Sequence, residues 1–150
     1  MKINQLSVFV ENRPGSLRPV CKALADGGID LLSLTVADTE EFGIVRILVP
    51  DPQAAEKVLK TAGYAVKVTE VVAVEVPQRP GGLLTVLDAL DEAKQVIEYM
   101  YAFAGMVANG GASSRAVLVF RFANPDTAIA ALAKHGISAV VASKLFQHAK

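Results

Sequence analysis

Within its 150 residues the chain repeats itself. Arg13-Pro14-Gly15-Ser16-Leu17 returns as Arg79-Pro80-Gly81-Gly82-Leu83, and Val20, Ala23 and Leu24 return as Val86, Ala89 and Leu90. Seven of the twelve positions from Arg13 to Leu24 are identical at this offset. Further on, Asp51-Pro52 answers Asn124-Pro125, Leu59 answers Leu132 and Gly63 answers Gly136, so the offset grows from 66 to 73. A repeat this long exceeds the roughly 20–50 residues of solenoid units and indicates a small domain duplicated. The chain therefore reads as two modules, 1–74 and 75–150, where length alone would suggest a single domain. The added residues of the second copy fall in Gly105–Ser114, where Asn109-Gly110-Gly111 and Ser113-Ser114 read as an extended hairpin loop.

Periodicity gives the same element order in both copies. Leu6, Val8 and Val10 alternate as a strand that Arg13-Pro14-Gly15 interrupts. A helix follows, with Ser16 as its expected N-cap, an apolar stripe of Leu17, Val20 and Leu24, and Gly27-Gly28 at its end. Strands over 29–37 and 43–49 are joined by the turn Asp38-Thr39-Glu40-Glu41, and Pro52 starts a second helix that buries Ala55, Val58, Leu59 and Ala62. Gly63 is the expected C′ residue, and 64–69 forms the last strand. The second copy repeats the pattern with strands at 71–77, 96–104, 115–122 and 137–143. The order β-α-β-β-α-β predicts an α+β chain of two ferredoxin-like modules, each an antiparallel sheet with its helices on one face.

Composition narrows the function. Fifteen basic residues balance fifteen acidic ones, which removes the electropositive field of nucleic-acid and anionic-membrane binders. Cys21 stands alone, so neither an intramolecular disulfide nor a Cys-x-x-Cys site can form, and a reducing, cytoplasmic setting is expected. No apolar run approaches the ~20 residues of a membrane span, and the N-terminus lacks the apolar core of a secretory signal. His135 and His148 have no spaced partners for zinc and read as surface residues. Asp88, Asp91 and Glu92 share a helix and read as a solvated face. Neither a phosphate loop nor a nucleophile elbow is present, and no cofactor is expected.

The strand that runs into Arg-Pro-Gly-x-Leu, twice, resembles the ACT domain. In the first copy Glu11-Asn12-Arg13-Pro14-Gly15-Ser16-Leu17 and Asp26-Gly27-Gly28-Ile29-Asp30 carry the likeness, and in the second Gln78-Arg79-Pro80-Gly81-Gly82-Leu83 and the aromatic strand 96–103 do. The second copy departs from the pattern where Ala93-Lys94-Gln95 replaces a glycine-containing turn. The resemblance extends to free-standing tandem ACT proteins. It implies a non-catalytic regulatory protein that binds an amino acid, commonly at an interface between modules.

The residues offer a physical route to such binding. The first N–H groups of a helix lack intrahelical acceptors and carry the positive end of its dipole, which suits a carboxylate. Gly15 and Gly81, and Gly82 beside it, leave the approach open; Asn12, Arg13 and Arg79 could donate to the ligand; Pro14, Ser16, Leu17, Pro80 and Leu83 complete the two loops. The same glycines are equally explained by a tight strand-to-helix turn. Asp30 or Asp38 could accept from an ammonium, although Asp38 also suits a turn. Phe42 could wall a pocket or staple a turn. Tyr99 and Tyr101 align with Leu32 and Leu34 and are read first as core, with their phenols available to a ligand or an opposing domain. Open sheet edges favour a homodimer, and a separate regulated enzyme is a further possible partner. Two other functions stay open: a small ferredoxin-like enzyme, an isomerase or hydrolase using Arg13, Asp30 or Asp38, and a regulatory subunit that binds no metabolite.

Overall fold

The computed structural model describes residues 1–38, 41–103 and 115–146, with the side chains of Asp38 and Phe103 set aside. The Gly105–Ser114 loop, Thr39 and Glu40 of the Asp38–Glu41 turn, and His148 lie outside the described residues. The elements are β1 (Ile3–Glu11), α1 (Leu17–Asp26), β2 (Ser33–Asp38), β3 (Phe42–Leu48), α2 (Pro52–Thr61), β4 (Ala65–Pro77), α3 (Gly82–Glu92), β5 (Ile97–Phe103), β6 (Arg115–Phe122), α4 (Pro125–Lys134) and α5 (Ala142–Phe146). They form two compact units, Asn4–Thr69 and Glu70–Lys150, the second also including Met1–Ile3.

In the first unit the strand order is β2-β3-β1-β4, and β3 pairs antiparallel with β1 (Val8 opposite Val45) and with β2 (Val36 opposite Val45). Alternation along β1 and β3 turns Leu6, Val8, Val45 and Ile47 toward the buried Val20 and Leu24 of α1 and Ala55 and Leu59 of α2. Burying a side chain of this size contributes roughly 1.5–3 kcal/mol, so these few residues dominate the unit's stability. In the second unit the order is β4-β6-β5, and Val72, Val74, Leu118 and Phe120 face Val86 and Leu90 of α3 and Leu132 of α4. The Phe120 and Phe122 rings, 5.8 Å apart, stack within this core.

Each of α1 to α4 ends in the same hydrogen-bonded turn. Ile29 N–H donates to Leu24 O at 2.9 Å, Tyr64 to Leu59 at 3.0 Å, Gln95 to Leu90 at 2.8 Å and Ile137 to Leu132 at 3.0 Å. This six-to-one closure needs a left-handed residue just before it, supplied by Gly28, Gly63, Lys94 and Gly136. Lys94, at φ 52°, takes the backbone shape its glycine counterpart Gly28 takes at 68°. The departure noted at Ala93-Lys94-Gln95 therefore changes the residue and preserves the turn.

Three expectations fail in instructive ways. The strand expected from residue 29 begins at Ser33, because the helix-ending turn uses Ile29 and because Ile29 and Leu31 pack onto the core. Ala62 is exposed, leaving Ala55 and Leu59 as the buried residues of α2. The strand expected over 137–143 is reduced to a single bridge, Val74 to Ala139, with Val140 N–H donating to Ala73 O at 2.8 Å. Beyond it the backbone turns into α5, which buries Leu145 almost completely. Burial of that leucine outweighs the strand preference of Val140 and Val141.

Candidate functional site

The loop between β1 and α1 is a type II turn whose chemistry explains its sequence. Ser16 N–H donates to Arg13 O at 3.3 Å, Pro14 occupies the position where a fixed negative φ is wanted, and Gly15 follows at φ 83°. The second copy repeats the turn, with Gly82 N–H to Arg79 O at 3.0 Å and Gly81 at φ 85°. Both glycines are thus required by the backbone itself. Ser16 has helical dihedrals and makes no side-chain cap bond, contrary to its expected role. Pro19 has no N–H, so the donors left open by the first turn of α1 reduce to those of Leu17 and Arg18.

Against this loop lies a cavity of about 360 Å³, within the range of small-molecule sites. Arg13, Pro14, Gly15 and Ser16, four of the sequence candidates, line it together with Phe9, Glu11, Pro19 and Tyr64, which were not among them. Tyr64 reaches the loop because the strand it precedes, β4, neighbours β1. That adjacency is a property of the fold order and leaves no local mark in the sequence. A Cβ on Gly15 would meet no atom within 4 Å, so the space beside it is open. Arg13 Nε donates to Glu11 Oε2 at 2.9 Å, and the rest of its five-donor guanidinium can serve a ligand.

The remaining first-copy candidates lie elsewhere. Asn12 is exposed beside the loop, and its N–H donates to Glu41 O at 3.1 Å. Leu17 packs onto the core of the first unit. Asp30 is exposed ahead of β2, and Asp38 ends β2 with its backbone opposite Gly43. Phe42, 52% exposed, sits opposite Glu11 at the start of β3 and does not line the cavity.

The turn of the second copy is more closed at the position matching Ser16. A Cβ at Gly82 would stand 2.1 Å from Pro77 O, so backbone closes down on this loop where Ser16 fits in the first. Arg79, Pro80 and Gly81 are exposed, and Leu83 is 37% exposed. A cavity in the second unit is lined by Glu75, Pro77, Arg115, Lys144 and residues 136–141, and by none of 79–83.

Tyr99 and Tyr101 are not core residues. Met100 pairs with the buried Phe120, whereas Tyr101 pairs with Val119, so both tyrosines occupy the sheet face turned away from the second core, where they are half-buried. The error is a register slip of one residue. At the constant offset of 66, Met100 corresponds to Leu34, and Tyr99 and Tyr101 correspond to Ser33 and Thr35. One residue of slip transfers every side chain to the opposite face. His135 caps α4 and lies 3.2 Å from Glu92 Oε2; Asp88, Asp91 and Glu92 are exposed as expected. Among the described residues no group of three or more His, Cys, Asp or Glu side chains converges as a metal site.

Two ferredoxin-like modules in one chain, each entering its first helix through an Arg-Pro-Gly turn, define a duplicated α+β protein. Residues 1–148 match the family described as "ACT domain pair", and the chain belongs to that family. It is 38% identical to a solved protein from Bacteroides thetaiotaomicron, with a TM-score of 0.87 over 98% of this chain and 97% of that one. It is 29% identical over 113 residues, 71% of each chain, to the acetolactate synthase small subunit of Buchnera aphidicola subsp. Baizongia pistaciae. The regulatory subunit of aspartate kinase from Thermus thermophilus shares the fold at 16% identity, with a TM-score of 0.58 over 88% of this chain and 91% of that one. Among the described residues no helix is long and apolar enough to cross a membrane.

Proposed function

We propose that the chain is a non-catalytic regulatory protein that binds an α-amino acid at the Arg13–Ser16 turn. The observation that carries this reading is the open cavity seated on that turn, where Arg13 and the first N–H groups of α1 can receive a carboxylate. Strand carbonyls and Glu11 supply acceptors for the ammonium. The similarity to a protein named as an enzyme's small subunit supports a separate enzyme as the partner. The repeat copies 1–74 and 75–150 serve as its two modules. Homodimer formation through β2, which ends the strand order and exposes Leu34 and Val36, belongs to the same reading.

Thermal-shift titration with the twenty amino acids tests the site. A ligand present at a hundred times its Kd adds about 2.7 kcal/mol, which is roughly 5–10 °C for a chain of this size. Gly15→Val should abolish the shift. Gly28→Val is the control, because it imposes the same left-handed strain of about 1–2 kcal/mol away from the cavity and should keep the shift. The proposal fails if no amino acid stabilises the protein at millimolar concentration, or if the Gly15 variant responds like the control.

A further inference from the structure

The second unit holds a cavity of about 440 Å³ where its last strand stops short. Its floor is the end of β4 and the start of β6. There Glu75, Pro77 and Arg115 project from the sheet face opposite the buried Val74 and Val76, with Pro77 and Arg115 directly paired. The backbone from Gly136 to Val141 and Lys144 of α5 close the other side. A full strand over 137–143 would have continued the pairing with β4 that ends after one bridge.

The charges here are unequal. Lys144 Nζ lies 2.8 Å from Glu75 Oε1, and Arg115 Nη1 lies 3.7 Å from Oε2, so one carboxylate faces two cations. Glu75 is largely buried, its side chain 14% exposed, and both its oxygens are engaged. Lysine has three N–H donors and arginine five, and this one carboxylate cannot consume them all. An incoming ammonium would have to displace Lys144 or Arg115 from Glu75. An incoming carboxylate displaces nothing and completes a two-to-two charge balance. Of the remaining walls, Pro77, Ile137, Ala139, Val140 and Val141 present apolar side chains, while Ser138 and the main chain of 136–141 are polar.

We propose that this cavity binds a small aliphatic monocarboxylate, whose carboxylate is received by Arg115 and Lys144 and whose hydrocarbon lies against Pro77, Ile137 and Val141. The site shares no residue with the Arg13–Ser16 cavity and stands or falls independently of it. Titration of the full chain by heteronuclear NMR, with isobutyrate, valine and isobutylamine as probes, tests it. Isobutyrate should give saturable shifts at the amides of Ser138–Val141, valine should bind at least tenfold more weakly, and isobutylamine should give none. Arg115→Gln and Lys144→Gln, at half-exposed positions, should each weaken isobutyrate at least tenfold. Glu75→Gln, which removes the competing anion, should tighten it severalfold; added salt should weaken binding in every protein. Tighter binding of valine or the amine, unchanged affinity in both cation variants, weaker binding in a folded Glu75→Gln, or shifts confined to other residues would each overturn the assignment.

Discussion

Lys94 stands where three sister helices place glycine, and it holds a left-handed backbone at φ 52°. A side chain in that region costs about 1–2 kcal/mol, partly offset by the extra chain freedom that glycine loses on folding. Lys94→Gly should therefore raise stability by about 1 kcal/mol, read as a higher urea midpoint at unchanged slope. An unchanged or lower midpoint would mean that the lysine side chain makes a compensating contact. Gly82 presents the opposite case, since its added Cβ would collide with a backbone carbonyl instead of a yielding side chain. Gly82→Ala should cost about 1–3 kcal/mol through overpacking, although its neighbour Gly81 is the one with positive φ.

At the scale of elements, the helix starts separate into two kinds. Asp51 Oδ1 accepts from Gln53 N–H at 3.1 Å and from Ala54 N–H at 3.0 Å, and Asn124 Oδ1 accepts from Thr127 N–H at 3.3 Å. Replacing either by alanine should lower stability by about 1 kcal/mol, while Ser16→Ala should leave it nearly unchanged, as urea denaturation of the three variants would show. Asp51-Pro52 and Asn124-Pro125 could be read as helix starts from sequence, because cap and proline act locally. The Arg-Pro-Gly turns were legible for the same reason, and with them four of the eight residues named here around the first cavity. Tyr64 was not, because only the adjacency of β4 to β1 brings it to the turn; Phe9, on β1 itself, was legible only as part of an alternating strand. The face taken by Tyr99 and Tyr101 depended on a one-residue alignment that hydrophobicity alone resolves wrongly: two apolar strands match well at either register. The missing last strand was hidden for a related reason, since Val140-Val141 favours a strand locally and only the burial of Leu145 decides otherwise.

For the molecule as a whole, residues far apart in the chain meet at Lys2. Its ammonium lies 3.1 Å from Glu70 and 3.2 Å from Asp126, and the hydrogen bonds to Glu70 and then Asp126 raise its pKa above the ordinary lysine value, against a smaller opposing effect of desolvation. A group whose pKa is raised on folding binds its proton more tightly in the native state. Its stabilising contribution is complete below the unfolded value of about 10.4 and is lost as pH rises through the folded value. Lys2→Met should therefore flatten the alkaline fall in melting temperature above about pH 10. Identical alkaline profiles for the two proteins would disprove the linkage.

The membership of Met1–Ile3 in the unit that otherwise begins at Glu70 also sets an order of events during synthesis. Residues 4–69 can fold as soon as they leave the ribosome. Residues 1–3 must await Glu70 and then Asp126, a delay of several seconds at about 5–20 residues per second. A segment that precedes residues 4–69 in the chain thus reaches its place after them, and a substitution at Lys2 acts on this late closing step.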